Sequence, residues 1–413
     1  MNIWLIKDGE NLPIQTDARK MRTWMLAEEL QKRGHEVTWW ASTHSHQRKN
    51  LLFREDREIE VATGFRLKLL FAGSYRSNRS LGRLLHHARL AAKFRRQAPA
   101  FPAPDVIVSS YPTIELAYEA VAFGRPRGIP VIIDIRDPWP DILLDLAPPA
   151  LRAAARLALL PLERKARAAL AGADSLVACS QGFLDWGLRK AGLARRAADK
   201  VFYLGRARHP SNDAADSPAI AELGQKLAGK VIFCFVGSFG HVYELDLVCD
   251  AAALLERKGD RRIHFVLAGD GPQYGAVRAR AKTLGNVTAP GWLSASDADR
   301  LLALADVGMA PYRQMAGALP NKVFDYSAAG LPILSSLEGE MTEMLANHRA
   351  GLSYAPGDVG AFTAHVSTLA ESARLREELA LGSAAMFERE FLAASIYPEY
   401  VCHVESIARA RAH

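Results

Sequence analysis

Short apolar runs alternate with longer stretches of helical period along most of this chain. In the first half a strand over residues 3–6 precedes an amphipathic helix over 18–32. That helix gathers Met21, Trp24, Met25, Leu26 and Leu30 on one side and ends at Gly34, before a strand at 37–41. The rhythm continues with a strand at 106–109, a helix at 113–123, a strand at 131–135, a long Ala/Leu/Arg helix at 151–170 and a strand at 175–178. Residues 206–229 break it with Pro, Asn, Asp and Ser and read as a linker. It then restarts, with strands at 231–236, 264–268, from 287, at 307–310 and 333–335. Helices fall between them at 245–257, 272–284, 296–304 and 321–329, and residues 359–412 read as mostly helical. Brief apolar strands between helices are the mark of parallel, doubly wound sheets covered on both faces. The expected fold is therefore α/β, with two tandem Rossmann-like domains facing a cleft and a helical C-terminal tail. The expected boundaries are an N-terminal domain at 1–205, the linker at 206–229, a C-terminal domain at 230–390, and a last helix at 391–413 that crosses back to the first domain.

A length of 413 residues suits two cores, and the composition, 49% hydrophobic and 23% charged, is that of an ordinary globular protein. The opening MNIWLIKDGE has no basic region before its short apolar run, and no stretch approaches the roughly 18–20 apolar residues of a membrane span. Four cysteines lie far apart without metal-type spacing, which fits reduced thiols in a cytoplasmic protein. Charge changes the picture more. The net charge of +7 divides into +11 over residues 1–205 and −4 over the rest. Residues 76–96 hold Arg76, Arg79, Arg83, Arg89, Lys93, Arg95 and Arg96 with no acid, interleaved with leucines and alanines. Such a basic amphipathic segment suits the anionic inner face of a plasma membrane. No nucleic-acid motif accompanies it, so nucleic acid is not an expected partner.

Candidate chemistry concentrates at 317–336, GALPNKVFDYSAAGLPILSS. Pro320 stands at a helix start, Gly330 and Pro332 close the helix, and Lys322 and Asp325 share one face at i,i+3. A cation, a carboxylate and free helix-mouth amides, including that of Asn321, suit a nucleotide diphosphate: the amine neutralises phosphate and the carboxylate accepts ribose hydroxyls. An i,i+3 surface ion pair with ordinary caps is the competing reading. Further on the list of strand-end turns, Gly237-Ser238 follows one apolar strand and Gly269-Asp270-Gly271 another, where glycine lets backbone amides approach a phosphate. Gly291-Trp292-Leu293 ends a third. In the first half, Ile133 to Asp141 (IDIRDPWPD) places Arg136 and Asp137 just past a strand, where they serve an anion and a hydroxyl or simply brace the turn.

The order of LPNKVFDYSAAGLPILSS resembles the donor-site helix of family 4 glycosyltransferases. It is closest to the retaining branch of bacterial exopolysaccharide, O-antigen and capsule transferases. The turns at 237–240 and 268–272, the segment 291–293 and the run 133–141 resemble other stretches of that family. The resemblance implies the two-domain GT-B fold and retaining transfer from a nucleotide diphosphate-sugar, expected to be UDP-linked. Lys322, Arg136 and Asp137 would be catalytic, and Asp325 would hold the ribose. Asn321, Gly237, Ser238, Gly269, Asp270, Gly271, Trp292 and Leu293 would complete the nucleotide site. The acceptor would be lipid-linked or saccharide, reached with Arg76, Arg79, Arg83, Arg89 and Lys93 against the membrane. No cofactor and no metal are expected, since the nucleotide-sugar is a substrate. The chain departs from the family where Ala318 stands for the first acid of an E-x(7)-E pair and Ser238 for an arginine, with His241 and Arg313 as the nearby basic alternatives. A nucleotide-sugar epimerase and a non-catalytic nucleotide-binding relative are the other functions considered. A nicotinamide dehydrogenase lacks its G-x-G-x-x-G before the first helix.

Overall fold

The computed structural model describes the chain apart from residues 16–17, 19, 78–79, 146–147, 209–216, 314–318 and 412–413, and apart from the side chains at 145 and 149. It forms two compact units. Unit 1 is Met1–Tyr203 with Ser395–His413, and unit 2 is Leu204–Ala394.

Unit 1 carries an eight-stranded sheet. In chain order its strands and one small hairpin are β1 (Asn2–Ile6), β2 (Glu36–Ser42), the hairpin β3 (His44–Ser45) and β4 (Asn50–Leu51), β5 (Arg57–Ala62), β6 (Phe65–Leu70), β7 (Val106–Tyr111), β8 (Val131–Ile135), β9 (Ser175–Ala178) and β10 (Lys200–Val201). The spatial order is β10-β9-β8-β7-β1-β2-β6-β5, parallel except for β5 against β6. Both faces are covered, so the central strands read as unbroken apolar runs, and β7 and β8 are buried along their whole length. Trp4 and Trp40 of the sheet pack against Phe94 and Phe123 of its helices.

Unit 2 carries β11 (Val231–Val236), β12 (Ile263–Ala268), β13 (Val287–Gly291), β14 (Val307–Ala310), β15 (Ile333–Ser335) and β16 (Gly351–Ser353), all parallel in the order β13-β12-β11-β14-β15-β16. This is the dinucleotide-fold order, with its reversal between β11 and β14, and ligands of such sheets bind outside the carboxyl ends of the strands at that reversal. The core packs Phe233, Phe235 and Phe265 against Leu245, Val248 and Phe362.

Two expectations change here. Residues 218–227 are not linker: Pro218–Leu227 is a helix capped by Ser217, and its Ile220, Leu223 and Leu227 pack on Ile232, Val266 and Leu301 of unit 2. The first helix begins at Arg22, because Glu10 accepts the backbone N–H of Thr23 (3.0 Å) and Arg22 turns inward to Asp134 (2.9 Å).

Candidate functional site

In unit 2 the reversal point is held by the helix Asn321–Ala328. Its buried Tyr326 hydroxyl accepts from Val236 N (3.2 Å) and donates to Met309 O (3.0 Å), which satisfies backbone groups of β11 and β14 where the two strands diverge. Gly308 makes room for that ring; a Cβ there would sit 2.4 Å from it. One turn earlier, Lys322 is buried, donates to Val236 O (2.8 Å), and lies over the rings of Phe235 (4.1 Å) and Tyr243 (4.4 Å). Burial pushes its amine down to about 7, against the pull of Asp325. The surface ion-pair reading fails, because the lysine faces inward and Asp325 is paired with Arg206 instead.

The turns after β11 and β12 close around this amine. A Cβ on Gly237 (φ +146°) would fall 2.0 Å from Lys322 Nζ, and one on Gly269 (φ +145°) would fall 1.8 Å from Gly237 O. Only glycine fits either place. Gly271 likewise abuts the backbone of Phe239, whose N–H donates to Asp270 O (2.8 Å), while the Asp270 side chain accepts from Gly271 N (2.7 Å). Gly269 N donates to Gly291 O (2.8 Å), which brings the end of β13 beside the same turn. There Trp292 is 74% exposed and Leu293 packs toward Leu301. Ser238 and Asn321 are exposed, and the helix has Pro320 at its N-cap with no side-chain cap. Val323 N, in its first turn, donates to Pro320 O (3.1 Å). Arg313 donates to His241 O (3.1 Å) and faces Glu244 at 4.0 Å, so it braces the 241–244 loop. Ala318 lies outside the described residues.

In unit 1 the matching reversal is between β1 and β7. Lys7, the first residue past β1, donates to Pro112 O past β7 (3.4 Å). Burial, with Arg136 adding to it, pushes this amine down to about 7 as well, against Asp137, Asp8 and Asp134. Asp137 stands at the mouth with solvent access, yet the protein atoms around it raise its carboxyl pKa in spite of Lys7, Arg83 and Arg136. Asp8 is buried, and burial opposes its ionisation. Its hydrogen bonds with His86 and Ser42 outweigh that and hold it well below the usual carboxylate range.

Arg136, expected to serve an anion, is held by partners of its own unit. Its Nε donates to Asp134 (3.1 Å), one terminal nitrogen donates to Glu10, and the other to Thr23 Oγ1 (2.9 Å) and Asp134 (2.9 Å). A guanidinium has five N–H donors in a fixed fork, and here every nitrogen is engaged within unit 1. The basic segment also divides. Arg76 and Arg89 are exposed, but Arg83 lies over Trp139 (4.8 Å) and Lys93 binds Asp56 (2.6 Å); Arg79 lies outside the described residues. Lys7 and Arg206 were missed in the sequence. Lys7 carried a signal, as the first polar residue after a central strand; Arg206 carried none, because its partner Asp325 is distant in the chain.

Among the described residues, no group of three or more His, Cys, Asp or Glu is placed to hold a metal ion, and no helix is long and apolar enough to cross a membrane.

Two sheets of mainly parallel strands, each with a reversal of strand order, are those of the GT-B class. Residues 20–205 match the family model described as glycosyl transferase 4-like domain, and residues 230–372 match glycosyl transferases group 1. Between them the two matches take in most of the chain, which belongs to the glycosyltransferases of this GT-B, family 4-like type. Solved structures agree in fold. HepE from Anabaena, in complex with UDP, superposes with a TM-score of 0.68 at 15% identity, covering 98% of this chain and 100% of that one. Sucrose-phosphate synthase from Thermosynechococcus elongatus gives 0.72 at 15% identity over 99% of both chains. WaaG, a glycosyltransferase involved in lipopolysaccharide biosynthesis, gives 0.62 at 15% identity, covering 98% of this chain and 99% of that one. No curated protein matches the sequence.

Proposed function

We propose that this glycosyltransferase moves a sugar, with retention, from a UDP-sugar to a lipid-linked or polysaccharide-precursor acceptor at an anionic membrane surface. The observation that carries the donor half is the Lys322 amine beside Gly237 at the β11–β14 reversal, with Asp325 one turn along the same helix. The UDP bound to HepE, a protein of the same fold, supports the choice of base. Lys322 takes up a proton as the diphosphate arrives and balances the charge that grows on it as the glycosidic bond breaks. The N-terminal end of the Asn321–Ala328 helix adds fixed partial positive charge at the same place. Asp325 receives the ribose hydroxyls, and Trp292 offers a face to the base. Retention rests on the family likeness. Charge is handled here by an amine and backbone dipoles, so turnover is expected to survive EDTA, and strict dependence on Mn²⁺ would count against it.

The acceptor half draws on unit 1. Asp137, whose carboxyl pKa its surroundings raise, orients an acceptor hydroxyl, and Lys7 lies beside it. The helix Leu81–Gln97 exposes Leu81 (84%) and Leu85 (50%) alongside Arg89. The helix Arg152–Gly172 exposes Leu151 and Leu157 (69%) with Arg152 and Arg156, and has no acid before Glu163. Both helices precede a parallel strand in a crossover, so both begin at the carboxyl edge of the sheet, where Lys7 and Asp137 lie. Leucines among arginines suit an anionic bilayer, which supports a location at the inner face of the plasma membrane. The deciding experiment incubates the protein with labelled UDP-, GDP- and ADP-sugars and a bacterial lipid extract. Label in the lipid fraction, with the donor's anomeric configuration kept, supports the reading. An isomerised sugar nucleotide formed without acceptor would instead make the protein an epimerase, and nucleotide binding with neither product would make it a non-catalytic relative.

A further inference from the structure

The Asp325 carboxylate does not stand alone on its helix. Its partner, Arg206, lies just past Leu204, where the chain enters unit 2, and is mostly enclosed (17% exposed). The backbone of Arg206 is fixed on both sides: its N–H donates to Phe391 O (2.9 Å) and its carbonyl accepts from Ala393 N (2.9 Å), which pairs the entering segment with the one that leaves unit 2 after Ala394. The leaving segment also grips the same helix through Phe391, packed edge-on against Phe324 at 4.6 Å. Two adjacent residues of the Asn321–Ala328 helix are thus held by this paired segment, Phe324 by an aromatic contact and Asp325 by a charge.

We propose that Arg206 is a positioning residue of the donor site, which orients the Asp325 carboxylate for a nucleoside's vicinal hydroxyls. This rests on the reading of Asp325 as the ribose-binding group. An ionised carboxylate offers about four lone-pair sites, so an arginine at one oxygen fixes its plane and keeps capacity for hydroxyl donors. Asp325 pairs with the mostly enclosed Arg206, and about a third of its own side chain (32%) is exposed. A flexible, unpaired aspartate would have to be ordered on binding, and this one is ordered beforehand.

The test measures UDP binding by calorimetry to the wild type, Arg206→Ala, Arg206→Lys, Asp325→Asn and the double variant Arg206→Ala/Asp325→Asn, with thermal unfolding of each. Arg206→Ala is expected to weaken UDP about tenfold, as for loss of a charge-assisted contact. Arg206→Lys should recover most of that loss, and in the Asp325→Asn background the alanine change should cost less than about twofold, since it acts through the missing carboxylate. Additive losses, unchanged affinity in Arg206→Ala, or tighter binding, which would make Arg206 a competitor of the ribose, would each overturn the proposal. If Arg206→Ala does not fold, Arg206→Lys against Asp325→Asn still decides: affinity falling as far in the lysine variant as in the asparagine variant overturns it. A wild-type protein that binds no UDP would remove the donor reading itself, an outcome distinct from a wild type that binds and an arginine that does not matter.

Discussion

The two reversal points share a topology and differ in what they are made of. Each places a lysine across diverging strands, Lys7 reaching Pro112 O and Lys322 reaching Val236 O, and burial brings both amines to about 7. Around Lys322 the walls are glycine turns and aromatic rings, and the acid that acts on it is Asp325. Around Lys7 they are charged side chains: Asp8 with His86, and Asp134 shared by Arg22 and Arg136, with Glu10 on the far side of Arg136. A cradle of glycine turns tolerates little change, because a Cβ has nowhere to go. A side-chain network is built from groups that substitution can redraw, which suits the half of such an enzyme that must recognise a particular acceptor.

The largest expected effect would break the network side of this contrast. Arg22 and Asp134 are both buried, and Arg22 also donates to Phe202 O (2.7 Å) and Tyr203 O (3.0 Å). Arg22→Met takes one of two arginines from the buried Asp134 and removes the donor of two carbonyls, so urea unfolding should show a loss of about 3 kcal/mol. A loss under about 1 kcal/mol would mean that the network relaxes around the change.

Lys322→Met tests the cradle side. It removes a desolvated amine, so stability should hold or rise, while turnover falls by about 10²–10³-fold, the range for losing one group that meets transition-state charge. A variant with near-normal kcat would return the role to another cation.

The protonation of Lys322 sharpens the comparison further. A bound diphosphate favours the ammonium form and raises its pKa above 7, so UDP binding takes up a proton. Affinity should then weaken as pH rises from about 7 to 9, by up to about tenfold per unit. Lys322→Met should flatten that slope. In Lys7→Met the slope should remain and the acceptor KM should rise, and the reverse pattern would exchange the two roles.

The smallest expected effect concerns the surface of unit 1. Leu157→Glu changes an exposed side chain, and the variant should bind vesicles of phosphatidylglycerol a few-fold more weakly, at the roughly kcal/mol scale of one apolar contact or charge at an anionic interface. Equal binding of wild type and variant would show that the exposed leucines do not meet the bilayer.

Much of unit 2 was legible. Its strands are short apolar runs between glycine turns, and Lys322 and Asp325 are three residues apart, so their common helix follows from local spacing. Unit 1 was harder to read. The strand β5 (REIEVA) is a charged antiparallel edge and β6 follows it after a tight turn, so neither has the apolar pattern of the buried strands. The basic run at 76–96 was visible as charge, but its division between solvent and ring stacking was not, because Trp139 and Asp56 come from other elements.

The sequence by itself determined the alternation of strand and helix, the glycine turns and the donor helix, because periodicity, caps and φ > 0 turns are decided within a few residues. Only the tertiary structure decided where the charges go. It turned Lys322 inward beside Gly237, committed Arg136 to Glu10 and Asp134, and gave Asp325 to Arg206. An ionisable group in a low-dielectric interior takes whichever counter-charge the fold delivers to it, and that choice depends on contacts between segments that the chain keeps far apart.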